Sequence, residues 1–224
     1  VFVGNPLVTP PLYTDTSFYL AQRRDLQLVR IAEIQISKSP TVPGISAPMP
    51  SWITQNFSVE LLNTGDAPAH MLGDTLMVIS PTSSLNNKIF VFPDIVIQPG
   101  ASLVIQFGNG NSTNTSRTLY TGSTAACSPS FNSNFAVIYR NGSGIADAVP
   151  FNAMTTQSVW NNAHVPAYVW SGSGISMPTS NNQTAGVFRT GWHANSSTAL
   201  SNSASHWTVS SNSNRLTMGV SNSG

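Results

Sequence analysis

Charge is the scarcest property of this sequence. Only 8% of its 224 residues are Asp, Glu, Lys or Arg, against roughly 25% in an average soluble protein. The formal net charge is +1, and Arg23-Arg24 is the only adjacent basic pair. Tracking a phosphate backbone takes a stripe of cations, so nucleic acid is not an expected partner. Cysteine is nearly missing as well: Cys127 stands alone, which excludes an intramolecular disulfide and any metal site built on a CxxC pair. No apolar run approaches the ~18–20 residues of a membrane helix, so no membrane span is expected. Helical periodicity is almost absent too. The chain opens at Val1 with neither Met nor a charged n-region, the form left when a signal peptide is removed.

What is present is an apolar interior and a neutral polar exterior. A hydrophobic content of 40% in 224 residues suffices to fill a core. With so little charge, Asn, Ser, Thr and Gly must wet the surface, an extracellular style. Six Asn-x-Ser/Thr sequons, at Asn56, Asn111, Asn114, Asn141, Asn182 and Asn195, are candidate N-glycosylation positions.

Short apolar or alternating runs bounded by Gly, Pro, Asn and Ser predict strands over 26–37, 53–62, 75–80, 88–92, 102–107, 135–140, 145–151, 186–190 and 206–210. Phe57, Val59 and Leu61 share one face of the second strand and Ser58 and Glu60 the other, so one face enters the core. In the first strand the apolar phase changes, from Val29 and Ile31 to Ile34 and Ile36, which predicts a bulge or sheet switch between Arg30 and Glu33. Asn63-Thr64-Gly65-Asp66, Gln98-Pro99-Gly100 and Asn141-Gly142 read as turns in which Gly or Asn supplies positive φ. The segments 40–51, 108–133 and 152–185 read as long loops, where such folds meet partners. Residues 1–25 form an apolar, proline-punctuated extension, VFVGNPLVTPPLY at its start, and residues 26–224 form the sandwich.

The order of these blocks resembles the lamin-tail domain. LVRIAEIQIS, with Glu33 among its hydrophobics, is similar to the family's opening strand. FSVELLNTGDAPAHMLGDTLMVIS is similar to its central motif at Glu60, Asn63, Leu72, Gly73 and Leu76, with Asp74 where a Trp is common. FVFPDIVIQPGASLVIQFG is similar to a strand pair joined at Pro99-Gly100. FAVIYRNGSGIADAVPF carries Asp147 and Val149 of a later hairpin, and GVFRTG with SHWTVS carries the closing Arg189 and Trp207. The resemblance spans about four-fifths of the chain. It implies an all-β, immunoglobulin-like two-sheet sandwich with long loop insertions, and leaves function open because its residues are packing and turn residues.

Chemistry is sparsely represented. His70, His164, His193 and His206 are scattered, and only His193 with His206 fall on strands close enough to pair, with satisfied or exposed imidazoles the commoner outcome. Gly142-Ser143-Gly144 and Gly172-Ser173-Gly174 lack the spacing of a nucleophile elbow. Asp66, Asp74, Asp94 and Asp147 sit near turns, where Asx hydrogen bonds are commoner than calcium ligation. No catalytic residue, metal or cofactor is therefore expected. Two roles remain. One is a non-enzymatic extracellular structural protein, a self-assembling subunit of a cell-surface filament, pilus or coat, in which Val1, Val3, Leu7 and Tyr13 add as a donor strand to a neighbour. The other is a secreted binding module for polysaccharide or a protein receptor, stacking sugars on Trp160, Tyr168 and Trp170, rings for which core packing is the competing assignment.

Overall fold

The computed structural model describes residues 28–37, 56–80, 87–108, 117–122, 129, 133–154, 159–160, 163–164, 169–177, 185–190 and 203–210. The chain is all-β. One sheet has six strands in the order β14 (Trp207–Ser210), β13 (Ala185–Arg189), β1 (Val29–Ser37), β2 (Asn56–Asn63), β7 (Ser102–Phe107) and β8 (Thr118–Tyr120). A second has four, β10 (Gly144–Phe151), β9 (Phe135–Asn141), β4 (Thr75–Ile79) and β5 (Lys88–Val91). Two minor pairs complete it: β3 (Ala69–His70) with β6 (Val96–Ile97), and β11 (Val159–Trp160) with β12 (Ala163–His164). All these pairings are antiparallel except β7 with β8.

The two large sheets share one core. Phe57 of β2 meets Phe135 of β9 edge-on at 6.1 Å, Phe135 stacks on Phe151 of β10 at 4.3 Å, and Phe107 of β7 lies 5.2 Å from Phe57. Each such aromatic pair adds about 0.5–1.5 kcal/mol beyond area burial. Ile31, Ile34 and Ile36 of β1 fill the core beside them. Alternation puts Phe57, Val59 and Leu61 inside, yet Ser58 and Glu60 on the opposite face are also buried, as are Glu33, Gln35 and Gln106. The six-stranded sheet thus buries polar side chains on its outer face; Ser58 donates to Gln106 Oε1 at 2.6 Å, a bond a buried hydroxyl requires.

The phase change expected in the first strand is a real irregularity. Ile31 pairs with Leu61 and Glu33 with Glu60, which leaves Ala32 as the extra residue. A second register shift, not anticipated, lies between Ile145 and Asp147 of β10. All nine expected strands are present, with ends displaced by up to three residues. The short strands β3, β6, β8, β11 and β12 were not expected, because two or three residues are too few to display a period. The last two lie within the segment 152–185 that reads as loop. In that segment Ile175 also bridges Phe151 in parallel, with Asn152 N–H donating to Ile175 O and Ile175 N–H to Pro150 O, both at 2.9 Å. His206 closes a 3-10 turn, Ala204–His206, instead of opening a strand. Gly100 takes the expected positive φ of 70°; in the β9–β10 hairpin that role falls to Gly144 at 128°, while Gly142 and Gly65 are not left-handed.

Candidate interaction surface

Asp147 and Arg189, two of the residues that the sequence singles out, meet at a junction between the sheets. The last β1–β13 register pair is Glu33 with Phe188, so nothing on β13 pairs with Ile31. Two side chains take its place. Asp147 Oδ2 accepts the Ile31 N–H at 2.8 Å, and Arg189 Nε donates to Ile31 O at 3.2 Å. The two close on each other, Arg189 Nη2 to Asp147 Oδ2 at 2.6 Å, with side chains 15% and 3% exposed. Asp147 Oδ1 accepts the Ala148 N–H at 2.9 Å, and the guanidinium carbon lies 4.9 Å from the centre of the Trp207 ring, within cation–π range. Arg30 adds a bond from Nη1 to Ala146 O at 3.1 Å. Both carboxylate oxygens thus hold donors, so Asp147 serves as a cap on the strand.

A second buried carboxylate is similarly engaged. Asp74 Oδ2 accepts the Tyr139 hydroxyl at 2.6 Å, a charge-assisted distance, which ties the start of β4 to the neighbouring strand β9. Asn63 is a buried corner: its Nδ2 donates to Ala67 O at 2.8 Å and Ile97 O at 2.9 Å, and its Oδ1 accepts the Gly65 N–H at 3.0 Å. That closes the turn read at Asn63-Thr64-Gly65-Asp66.

The surface presents a different feature. β5 ends the four-stranded sheet, and its alternate residues Ile89 and Val91 are 40% and 58% exposed. Leu72, 58% exposed, lies at the same end, because the N–H of the next residue, Gly73, donates to Phe92 O at 3.1 Å. Natural sheets usually blunt an edge with charge, proline or a bulge. Here Lys88 and Pro93 bracket the window but leave its middle apolar.

The remaining sequence-based candidates divide clearly. Val1, Val3, Leu7, Tyr13, Tyr168, His193, Cys127, Asn111, Asn114, Asn182 and Asn195 lie outside the described residues. Trp160 and His164 lie in the β11–β12 pair, and Asn56 opens β2. Trp170 is fully buried in the core, its indole N–H donating to Ser173 O at 3.1 Å. A ring with no exposed face has none to offer a sugar, so packing is the role found for it. Asn141 is half-buried at the β9–β10 turn, its Oδ1 accepting the Ser143 N–H at 3.0 Å. Asp66, Asp94, His70 and His206 are exposed, and among the described residues no three His, Cys, Asp or Glu side chains gather as a metal site. Among those residues, too, no helix is long and apolar enough to cross a membrane. The exposure of Ile89 and Val91 escaped sequence reasoning, since KIFV reads alike at the edge or centre of a sheet; the flanking Lys88 and Pro93 were the available signal.

The sequence matches no protein-family model and no curated protein.

Proposed function

We propose that this chain is a lamin-tail-type, immunoglobulin-like sandwich that works as a non-enzymatic, secreted structural subunit, assembling with its own kind at the cell surface through its N-terminal segment. The observation that carries the reading is β5, the last described strand of the four-stranded sheet, whose alternate side chains Ile89 and Val91 are exposed. An apolar outer strand is a surface on which a second chain can dock, and a weakly charged surface offers little repulsion between copies. The family part of the reading is supported by the meeting of Asp147, Arg189 and Trp207, drawn from separate sequence blocks. The structural role is supported by the engagement of Asp74 and Asp147 in bonds that hold strands together.

Negative-stain microscopy of the full-length protein and of a form lacking residues 1–22 tests the proposal, with circular dichroism to verify that both are folded. Filaments or lattices are expected from the first and dispersed particles from the second. Equal assembly by both forms refutes it.

A further inference from the structure

We infer that Ser58 and Gln106 are the two ends of an intramolecular ester cross-link, which the chain closes on itself between β2 and β7 whether or not copies assemble. The two residues are directly opposed in the ladder. Both are 2% exposed, and the hydroxyl oxygen lies 2.6 Å from Oε1 of the carboxamide. With a carbonyl bond of about 1.23 Å, that oxygen stands about 3–4 Å from the carboxamide carbon Cδ, close to the separation from which an oriented nucleophile attacks. The carboxamide is also held at its other end, where Gln106 Nε2 donates to Phe57 O at 3.4 Å. The span of the link fits the ladder. Only Oγ, Cδ and Cγ stand between the two Cβ atoms once the ester is closed, about 5 Å of chain, and directly opposed Cβ atoms lie about 4.5–5.5 Å apart.

The step balances within the chain. Ser58 Oγ bonds to Gln106 Cδ, the Cδ–Nε2 bond breaks, and the hydroxyl proton leaves on that nitrogen as ammonia. Nothing is oxidised or reduced, and no co-reactant is needed. A proton carrier stands on the same face of the sheet. Glu60 is two residues along β2 from Ser58, about 6.8 Å of strand; it is 3% exposed and is paired in register with the fully buried Glu33 of β1. A carboxylate so placed takes the hydroxyl proton as Oγ attacks and returns it to the departing nitrogen. Burial then keeps water from hydrolysing the ester. Ser58 has a second carboxamide opposite it on β1, that of Gln35, whose Nε2 is buried without a hydrogen-bond partner among the described residues. The 2.6 Å contact selects Gln106 over it. With Cys127 the only cysteine, an internal disulfide is closed to this chain, and the ester supplies a covalent staple between residues 48 apart in sequence.

Mass spectrometry of the full-length protein, unfolded and digested with trypsin, tests this. Cleavage after Lys38, Lys88 and Arg117 puts the two residues in separate peptides, 39–88 and 89–117. Expected is a joined species lighter than the two peptides together by one ammonia, with fragment ions that place the junction at positions 58 and 106. Mild alkali should part it and leave a carboxylate in place of the carboxamide at position 106. Ser58→Ala should abolish the joined species. In samples drawn at intervals after cell-free synthesis, Glu60→Gln should form it at least about a hundredfold more slowly than the parent, with the same circular dichroism. The parent's own peptides decide the cross-link, whatever the folding of any variant. Separate peptides with the carboxamide of Gln106 intact after prolonged storage mean an ordinary hydrogen bond and overturn the inference, as does a junction that runs to Gln35 or to any other residue. Joining that is not slowed in Glu60→Gln overturns the role given to Glu60.

Discussion

Replacing Asp147 by Ala removes the acceptor from three donors at once: the Ile31 N–H, the Ala148 N–H and the Arg189 guanidinium. Breaking a buried ion pair from one side costs about 3–5 kcal/mol. The 15% exposure of Arg189 lets water recover part of that, but each orphaned buried N–H adds about 1–3 kcal/mol, so a loss of about 3–5 kcal/mol stands. Arg189→Ala is milder, at about 2–3 kcal/mol, because the carboxylate loses the guanidinium but keeps its two backbone donors. With a urea m-value of about 2 kcal/mol per molar, Asp147→Ala should lower the unfolding midpoint by about 1.5–2.5 M. The double variant should lose less than the sum of the single losses by about 1–3 kcal/mol. Urea unfolding followed by tryptophan fluorescence supplies all four corners of the cycle. If Arg189→Ala proves the more damaging, charge neutralisation rather than capping of Ile31 dominates; if the two losses add to within about 0.5 kcal/mol, the junction is not a unit at all.

Tyr139→Phe deletes only the hydroxyl that donates to Asp74 and should cost about 1–3 kcal/mol, seen in calorimetry as a fall of about 2–4 °C per kcal/mol; an unchanged melting temperature would show that Asp74 is well satisfied without it. Two glycines should fail for different reasons. At Gly100, with φ 70° and nothing within 4 Å of an added Cβ, Ala should cost about 1 kcal/mol of backbone strain with amide protection in β7 retained. At Gly174 an added Cβ would sit 2.9 Å from Asn152 O and Pro150 O, so Ala should push the strand away and abolish hydrogen-exchange protection at the Asn152 and Ile175 amides; retained protection would disprove that steric reading.

How much was legible can be judged strand by strand. Where an element is long enough to alternate and one of its faces enters the core, as with Phe57, Val59 and Leu61, a period of two reports it. The bulge at Ala32 was legible for the same reason, because an extra residue inverts the phase of a long apolar strand. The bulge at Ala146 was not, since Ile145, Ala146 and Ala148 are all apolar and show no inversion. Two- and three-residue strands such as β3 and β8 exist only through their partners and carry no local signal. Sites follow the same rule. Asp147, Arg189 and Trp207 each stood out by resemblance, but their meeting depends on strand order: β1 separates β13 from β2 in one sheet, and β10 closes the other. The place of β5 at the end of the described four-stranded sheet depends still more on global topology, since strand order is set by pairings distant in sequence.

The two bulges explain why the junction sits where it does. Ala32 and Ala146 are the extra residues of facing strands, and each leaves its strand's hydrogen-bonding groups out of step with the neighbouring ladder. Side chains from the opposite sheet connect the two irregularities: Arg30 of β1 donates to Ala146 O, and Asp147 of β10 accepts from Ile31 N–H. A bulge in one sheet alone would orphan backbone groups in a region closed to water. Placed opposite one another, the pair lets each sheet cap the other, and Arg189 holds the carboxylate that does half of it. The Asp147–Arg189 pair is therefore bound up in joining the sheets, while β5 turns the apolar side chains of Ile89 and Val91 toward solvent.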